Sequence, residues 1–370
     1  MNSTQKIFLM EFLKDLGLSP EACEAFWQNG GFVIDSKGLG HLFTFGSEVG
    51  RTPSPKSEGP IEIEAYNFSL SESSKLVPSV HVRLDLKDLQ LSPRTLKRVS
   101  WEVPNYRDFE QRVERLKSTF QETALKKLVP VVRWKSHGKF VGEAQKQAVE
   151  NLLFQSQKLL GSQQGWTYGL WNEAGGCLGR TPEILFILEG RDLTTMALAG
   201  TRWQRARKLS LEINEKEGDE QSWVVKDLIE KLNPWGEFTK GDREVVAFGS
   251  LEHLKTLIRG TLNSNVKVSS LVKALHPSAA LGGYPAFEAK SALKDQSEYE
   301  WRGSFGAPLV FSVGNKTLVL VLIRGLFWNS QELFLPCGCG IVANSKAEEE
   351  WEELENKKRA VAQLFNLEMS

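Results

Sequence analysis

The sequence predicts an α+β fold built on antiparallel sheet. Two long segments, 108–126 and 209–232, carry apolar residues at helical spacing. Short apolar segments follow one another directly along the chain, for example 183–189 and 193–198. Helices and strands do not alternate regularly, so consecutive strands are expected to pair with each other rather than through helical crossovers.

The remaining elements follow from the same periodicities. Helices are also predicted over residues 5–28, 144–160 and 266–275. Residues 30–45 alternate in polarity and contain turn residues, which predicts a hairpin. Residues 46–60 are rich in Ser, Pro and Gly and are expected to form a loop. Further segments with strand character are 61–70, 79–86, 128–134, 166–171, 244–248, 307–313, 317–323 and 333–335.

Composition excludes several classes of protein. The chain has 370 residues with 46 basic and 46 acidic side chains, and this balance argues against binding to nucleic acid or to a charged membrane surface. The cysteines Cys23, Cys177, Cys337 and Cys339 have neither disulfide nor zinc spacing, which favours a reducing cytoplasm. There is no signal-peptide pattern and no apolar run of the ~20 residues of a transmembrane helix, so we expect a cytoplasmic protein.

Segment 336–359 is the most informative part of the chain. A glycine-rich stretch leads into an acidic helix on which Glu350, Glu353 and Lys357 are spaced i, i+3 and i+7, so they share one face. The neighbouring apolar stripe, which is expected to face the core, consists of Trp351, Leu354, Val361 and Leu364. Two carboxylates and an ammonium at the edge of a core suit a hard cation beside an anionic ligand. The other interpretation is a solvated acidic helix.

Three more charged residues lie in apolar contexts. Glu220 falls on the apolar line of segment 209–232, where a carboxylate requires a basic partner or a metal. Arg324 ends the apolar run 318–323 and requires an anionic partner. Lys127 is expected to end a helix just before an apolar strand, where it either complements the helix dipole or, if desolvated, acts as a base.

Other candidates have weaker signals. Glu183 opens a strand, where glutamate is usually solvated. Gly200 and Thr201 follow a strand in a small-residue turn, which allows close backbone approach and offers a hydroxyl. His253 taken alone is more typical of a structural histidine than of a catalytic one.

These segments together form an ordered set of motifs. The motifs are KLVPVVR at 127–133, TPE at 181–183, LAGT at 198–201, NEKEGDE at 214–220, EHLKTLIRG at 252–260, LHPSAALGGYP at 275–285, RGSFGAP at 302–308, IRG at 323–325 and CGCGIV…EWEELENK at 337–357. On them the chain resembles the chorismate-utilising enzymes, which comprise isochorismate, salicylate, anthranilate and aminodeoxychorismate synthases. The resemblance covers roughly residues 105–366, and the closest branch is that of the isochorismate synthases of menaquinone biosynthesis.

The resemblance implies both architecture and domain organisation. The family fold has two large antiparallel sheets packed together, with helices on the outside. Residues 105–370 would form the chorismate-binding catalytic core, and residues 1–104 the N-terminal part of the same α+β unit.

The resemblance also implies roles for single residues. Glu220 and Glu353 match the ligands of Mg²⁺, with Glu350 supporting the ion through water. Lys127 matches the residue that activates a water, and Glu183 the one that protonates a departing hydroxyl. Residues expected to contact the substrate are Gly200, Thr201, His253, Phe305, Arg324, Gly338, Gly340 and Lys357.

The chain departs from the family pattern at a few positions. Gln221 stands where a histidine usually follows the metal glutamate, and Leu354 replaces a threonine. Phe305 stands where many members have tyrosine, and Pro130 inside the catalytic strand is unusual. No proposed base, acid or metal ligand is lost, so these departures bear on rate and affinity rather than on the type of reaction.

We therefore expect a Mg²⁺-dependent isochorismate synthase, which adds water at C2 of chorismate and expels the C4 hydroxyl. Lysine rather than glutamine at position 127 favours water over ammonia, and no amidotransferase partner is expected. Two alternatives stay open: a salicylate synthase, which eliminates pyruvate from isochorismate, and a non-catalytic chorismate-binding protein. Retention of the proposed base, acid and metal ligands argues against the second alternative.

Overall fold

Helices and strands follow one another irregularly along the chain. The computed structural model describes residue 13 and residues 18–45, 60–94, 99–161, 165–203 and 215–368. The helices bounded within these ranges are α1 (Pro20–Gln28), α2 (Tyr106–Glu122), α3 (Glu143–Lys158), α4 (Glu215–Leu232), α5 (Val268–Leu275), α6 (Ala286–Lys294), α7 (Glu298–Trp301) and α8 (Ala347–Phe365). The strands are β1 (Gly30–Ile34), β2 (Leu39–Thr44), β3 (Ile61–Tyr66), β4 (Ser73–Leu76), β5 (Val80–Asp85), β6 (Lys127–Leu128), β7 (Val131–His137), β8 (Trp166–Asn172), β9 (Gly175–Thr181), β10 (Ile184–Glu189), β11 (Asp192–Trp203), β12 (Gly236–Phe248), β13 (Leu251–Leu262), β14 (Gly283–Tyr284), β15 (Pro308–Val313), β16 (Lys316–Val321), β17 (Gly325–Asn329), β18 (Glu332–Gly338) and β19 (Ile341–Val342).

Two eight-stranded sheets form the centre of the described structure. Sheet A has the order β5-β2-β1-β8-β9-β17-β18-β7, and sheet B has the order β12-β13-β11-β10-β16-β15-β3-β4. Neighbouring strands run antiparallel, as the pairings of β1 with β2, of β10 with β11 and of β15 with β16 illustrate. Strands β1, β2 and β5 extend one end of sheet A, and β3 and β4 form one edge of sheet B.

The two sheets pack face to face. Val33 of β1 joins an apolar layer that also contains Leu198 and Leu309 of sheet B. Phe32 and Ile34, which point to the opposite face of β1, join the core beneath the helices. Helix α8 packs on α2 and α3, and α4 packs on β11 and β13. The predicted α+β fold, with two packed antiparallel sheets and helices outside, is confirmed.

A third, three-stranded sheet joins distant motifs. Strand β6 lies between β14 and β19, so Lys127 pairs with Tyr284 on one side and with Val342 on the other. Beyond Pro130 the chain enters β7 of sheet A. Proline has no N–H to donate to a ladder, which accounts for the division of the predicted strand 128–134 into two.

Two predicted placements are wrong. Gly200 and Thr201 do not follow a strand in a turn, because β11 continues through a bulge at these residues to Trp203. Lys127 does not end a helix, because α2 ends at Glu122 and Lys127 lies in β6. The helix-dipole interpretation of this lysine therefore does not apply. Strands β9, β13 and β17 were not predicted, because their glycines and mixed polarity hide the alternation. Predictions for residues 5–12, 46–59 and 209–214 fall outside the described residues, and no helix in the described ranges is long and apolar enough to cross a membrane.

Candidate active site

A cavity lies where the ends of strands from all three sheets meet α4 and α8. Its polar lining consists of Glu183, Thr201, Glu220, His253, Arg302, Arg324 and Lys357. The rest of its lining includes Val129, Val131, Gly200, Leu281, Phe305, Gly338 and Gly340. Ten of the predicted site residues thus line this cavity. The other three, Lys127, Glu350 and Glu353, are not part of the lining.

A bulge in β11 directs Thr201 and His253 toward each other. The register between β11 and β13 shifts between Ala199 and Thr201, and Gly200 has a φ of 69°, which glycine adopts without strain. The Thr201 hydroxyl lies 3.3 Å from His253 Nδ1. The Gly200 carbonyl oxygen lies 3.1 Å from the same nitrogen.

His253 in turn holds Arg324. Its Nε2 lies 3.2 Å from Arg324 Nη2. Because a guanidinium only donates, Nε2 is the acceptor and Nδ1 carries the hydrogen that is donated to Gly200. Burial lowers the pKa of His253 well below its ordinary value, and the charges of Arg324 and Lys357 lower it further. His253 is therefore a neutral residue that orients the guanidinium in the cavity.

Lys127 and Glu220 form a buried ion pair. Lys127 Nζ lies 3.0 Å from Glu220 Oε1, with the lysine fully buried and the glutamate side chain 7% exposed. Burial raises the pKa of Glu220, but the charges of Lys127 and Lys216 outweigh it, and the pKa is lowered overall. Gly340 packs against the pair, since a Cβ at this position would collide with Glu220 Oε1 and lie 2.8 Å from Lys127 Cε.

Lys357 places an ammonium in the cavity. Its Nζ lies 2.5 Å from Glu353 Oε1 and donates to the Gly338 carbonyl oxygen at 2.7 Å. Burial lowers the pKa of Lys357, but Glu353 raises it and the net pKa is raised. Glu350 is fully buried and Glu353 is 9% exposed, so this face of α8 lies against the core and is not a solvated acidic surface.

Glu217, Glu220, Glu350 and Glu353 form an acidic cluster around Lys216. Lys216 and Glu217 were not predicted as site residues. Lys216 Nζ lies 3.1 Å from Glu217 Oε1 and 2.8 Å from Glu350 Oε1. Burial raises the pKa of Glu217 and of Glu350 to about 7, and repulsion by Glu353 contributes, although Lys216 opposes both. Lys216 and Glu217 precede Glu220 by four and three residues. On a helix this spacing places Lys216 and Glu217 on the same face as Glu220, so the sequence contained a signal that could have identified them as site residues.

Glu183 is buried between cations. Burial raises its pKa to about 7, although Lys127, Arg324 and Lys357 lower it. Its backbone N–H donates to Thr181 Oγ1 at 3.2 Å, which fixes the start of β10. A carboxyl group with this pKa is partly protonated at neutral pH and can donate a proton. The role of Glu183 as an acid stays a prediction.

The acidic cluster fits a hard divalent cation. The surrounding carboxylates Glu217, Glu220, Glu350 and Glu353 all raise the pKa of Lys216, so they surround one position for a cation. Mg²⁺ prefers carboxylate oxygens and needs only one or two from the protein when waters or ligand oxygens complete its shell. Within the described ranges no group of three or more His, Cys, Asp or Glu side chains is placed to hold a metal ion. An ion at these carboxylates would therefore need oxygens of a bound ligand or of water to complete its coordination.

Comparison with known proteins identifies the family. The model of the chorismate binding enzyme family matches residues 71–366. The chain belongs to the chorismate-binding enzyme family. The match includes every motif that carried the resemblance and begins before residue 105.

Curated members of the chorismate-binding family include two kinds of synthase. Isochorismate synthase MenF of Haemophilus influenzae is 31% identical over 232 residues, which are 60% of this chain and 53% of that protein. Anthranilate synthase component 1 of Neisseria gonorrhoeae is 27% identical over 202 residues, 51% of this chain and 41% of that protein. The matched part thus spans about half the length of these relatives.

Solved structures of the family share the fold. The menaquinone-specific isochorismate synthase MenF of Escherichia coli has a TM-score of 0.72 at 19% identity, covering 91% of this chain and 88% of that chain. DhbC of Bacillus anthracis has a TM-score of 0.73 at 22% identity, covering 92% and 97%. At these identities the likeness concerns the architecture.

Proposed function

We propose that the protein is a Mg²⁺-dependent isochorismate synthase. The observation that carries the proposal is the position of Glu183, a buried carboxyl with a pKa of about 7, in a cavity that also contains Arg324 and Lys357. An acid that is protonated near neutral pH, next to cations that bind carboxylates, suits the departure of a hydroxyl from a dianionic substrate. The similarity to an isochorismate synthase over 232 residues supports it.

The substrate would be held by its two carboxylates. Arg324 and Lys357 supply charged donors, and the glycine-rich turn from Gly338 to Gly340 allows the backbone to approach closely. Lys357 is held by Glu353 and Gly338, and Arg324 by His253. Because these cations are fixed before the substrate arrives, little side-chain conformational freedom is lost on binding.

Acid and base would act from opposite sides of the ring. Glu183 would protonate the C4 hydroxyl as it leaves, and Lys127, as a neutral amine, would take a proton from the water that attacks C2. In the ion pair with Glu220 Lys127 is an ammonium, so it would first release a proton to solvent, which a cation bound at Glu220 would favour. Lys127 is fully buried and contacts Glu220, which lines the cavity, so the water would have to lie beside the Glu220 carboxylate. Thr201 and His253 lie along the cavity, where they would orient the substrate hydroxyls.

A metal would be held by Glu220 and Glu353, with Glu350 supporting it through water. When bound, Mg²⁺ would supply a Lewis acid for the ring carboxylate and favour loss of the allylic hydroxyl. The ion would share the acidic cluster with Lys216, whose ammonium lies among the same carboxylates.

The choice of nucleophile separates the rival activities. The family contains anthranilate synthases, which add an amine, and lysine at position 127 favours water. To test the proposal, the protein is incubated with chorismate and Mg²⁺, with and without ammonium, and the products are separated by chromatography. Isochorismate in both samples supports the proposal. Anthranilate, or salicylate with equimolar pyruvate, as the main product contradicts it.

A further inference from the structure

The strand that carries Lys127 is interrupted at Pro130. Strand β6 ends at Leu128 in the small sheet, and β7 begins at Val131 in sheet A. Between the two strands the Val129 N–H donates to the Gly282 carbonyl oxygen at 2.9 Å, and the Pro130 carbonyl oxygen accepts from the Cys339 N–H at 3.4 Å. Proline itself lacks an N–H, and the Val129 carbonyl oxygen and the Val131 N–H take side-chain partners. A buried backbone group without a partner costs about 1–3 kcal/mol, so this crossing requires other partners.

Buried charged side chains of α7 and the turn after it supply those partners. Glu298 Oε1 accepts a hydrogen bond from the Val131 N–H at 3.1 Å. Arg302 donates from Nη2 to the Val129 carbonyl oxygen at 2.5 Å and from Nη1 to that of Leu281 at 3.0 Å. Glu298 is fully buried and Arg302 is 1% exposed. The two side chains thus form a clamp on the crossing segment.

The clamp is itself held in place. Arg112 of α2 donates to Glu298 Oε1 at 3.0 Å and to the Val131 carbonyl oxygen at 3.3 Å. The Arg302 guanidinium lies over the Phe68 ring, 4.4 Å from its centroid. Glu298 Oε2 and Arg302 Nε are buried without a hydrogen-bond partner among the described residues, so the clamp depends on the remaining bonds of each side chain. The positions of Glu298 and Arg302 therefore determine the position of the backbone at Val129 and Val131.

We propose that Glu298 and Arg302 are positioning residues for the reaction. They fix Val129 and Val131, which line the cavity and follow Lys127 directly in the chain. A displacement of about 1 Å at a reacting group can cost about 10²-fold in rate. The inference rests on the proposed function, because this position matters for catalysis only if Lys127 is the base.

The test is a kinetic comparison of clamp variants at a temperature where each is folded. Arg302→Met should lower kcat for isochorismate formation by about 10²-fold. It should change KM for chorismate little, because Arg302, although it lines the cavity, donates to the backbone, and the proposed substrate cations Arg324 and Lys357 remain. Glu298→Gln keeps an acceptor oxygen for the Val131 N–H and should retain most of the activity, whereas Glu298→Leu should behave like Arg302→Met. Arg302→Lys keeps the charge without the two-pronged contact and should give an intermediate kcat.

Asn151 offers a matched structural control. It is fully buried, and its Nδ2 donates to the carbonyl oxygens of Arg94 and Phe365 at 2.8 Å. It thus ties backbone segments together as Arg302 does, but does not line the cavity. Asn151→Leu should lower the melting temperature as Arg302→Met does, with kcat unchanged. A loss of kcat in Arg302→Met no larger than in Asn151→Leu would overturn the inference.

A double-mutant cycle separates positioning from general destabilisation. Residues that act as one unit give non-additive losses. Adding Arg302→Met to Lys127→Met should therefore cost little further activity. If the fold-losses of the two single variants multiply in the double variant, the positioning role is overturned and the base assignment stays intact. Full activity of Lys127→Met alone would overturn the base assignment, and the positioning role with it.

Discussion

The ammonium of Lys127 lies 3.0 Å from the carboxylate of Glu220, and the protein buries both. Each charge depends on the other, because removing one partner of a buried ion pair typically costs about 3–5 kcal/mol. The pair also joins the proposed base to a proposed metal ligand. Changes to either residue should therefore be visible in stability as well as in activity.

Lys127→Met should lower kcat by about 10²–10⁴-fold, since it removes the group that takes the proton from water. It should also lower the melting temperature, because Glu220 is left buried without its partner. The double variant Lys127→Met/Glu220→Gln should regain stability but not activity. Calorimetry and steady-state kinetics measure the two effects, and near-normal turnover of Lys127→Met would refute its role as the base.

Glu183 should produce an alkaline limb in the pH dependence of kcat/KM. The acid must be protonated, and burial raises its pKa to about 7, so activity should fall as pH rises through that value. Glu183→Gln should lose about 10²–10⁴-fold in kcat and still bind chorismate. Glu189 at the exposed end of the same strand is the control. A wild-type profile that stays flat through neutral pH would contradict the assignment.

The acidic cluster should make stability depend on pH in the absence of metal. Burial raises the folded-state pKa of Glu350 to about 7, above the unfolded value of about 4.3. Between these values the native state binds more protons than the unfolded state, so the free energy of unfolding should fall as pH rises. Glu350→Gln should flatten the decline, whereas Glu349→Gln, on the exposed side of α8, should not. Melting curves in EDTA across this range, with equal slopes for both variants, would disprove the prediction.

Mg²⁺ should stabilise the protein through the same carboxylates. An ion that binds only the native state adds about 2.7 kcal/mol at 100 times its Kd. EDTA should abolish turnover, and Mg²⁺ should restore it. Glu353→Gln should lose most of the Mg²⁺-dependent rise in melting temperature, measured with and without chorismate, and Glu349→Gln should keep it. An equal rise in both variants would place the ion elsewhere.

The periodicity of apolar residues in the sequence was sufficient to predict the helices and strands that bury one regular face. The face of α8 that carries Glu350, Glu353 and Lys357 was predicted because helical spacing fixes which residues are neighbours. The pairing of Lys127 with Glu220 was not predicted, because the two residues lie 93 positions apart in the chain and meet only through tertiary structure. Roles assigned to single residues came from the family resemblance and stay predictions.

The crossing at Pro130 shows where sequence reasoning reached its limit. The proline was recognised as unusual, but nothing local indicated that Glu298 and Arg302 would replace its missing ladder bonds. Those contacts span 167 positions for Glu298 and Val131, and 173 for Arg302 and Val129. A glutamate in a short helix and an arginine just after it look like ordinary surface charges until the fold is known.

Addition of water rather than ammonia is tested by running the reaction in H₂¹⁸O with chorismate and Mg²⁺. We expect isochorismate that carries one ¹⁸O in its C2 hydroxyl, the same yield with or without ammonium, and loss of the labelled product in Lys127→Met. Isochorismate without the label, or anthranilate as the main product when ammonium is present, would contradict it.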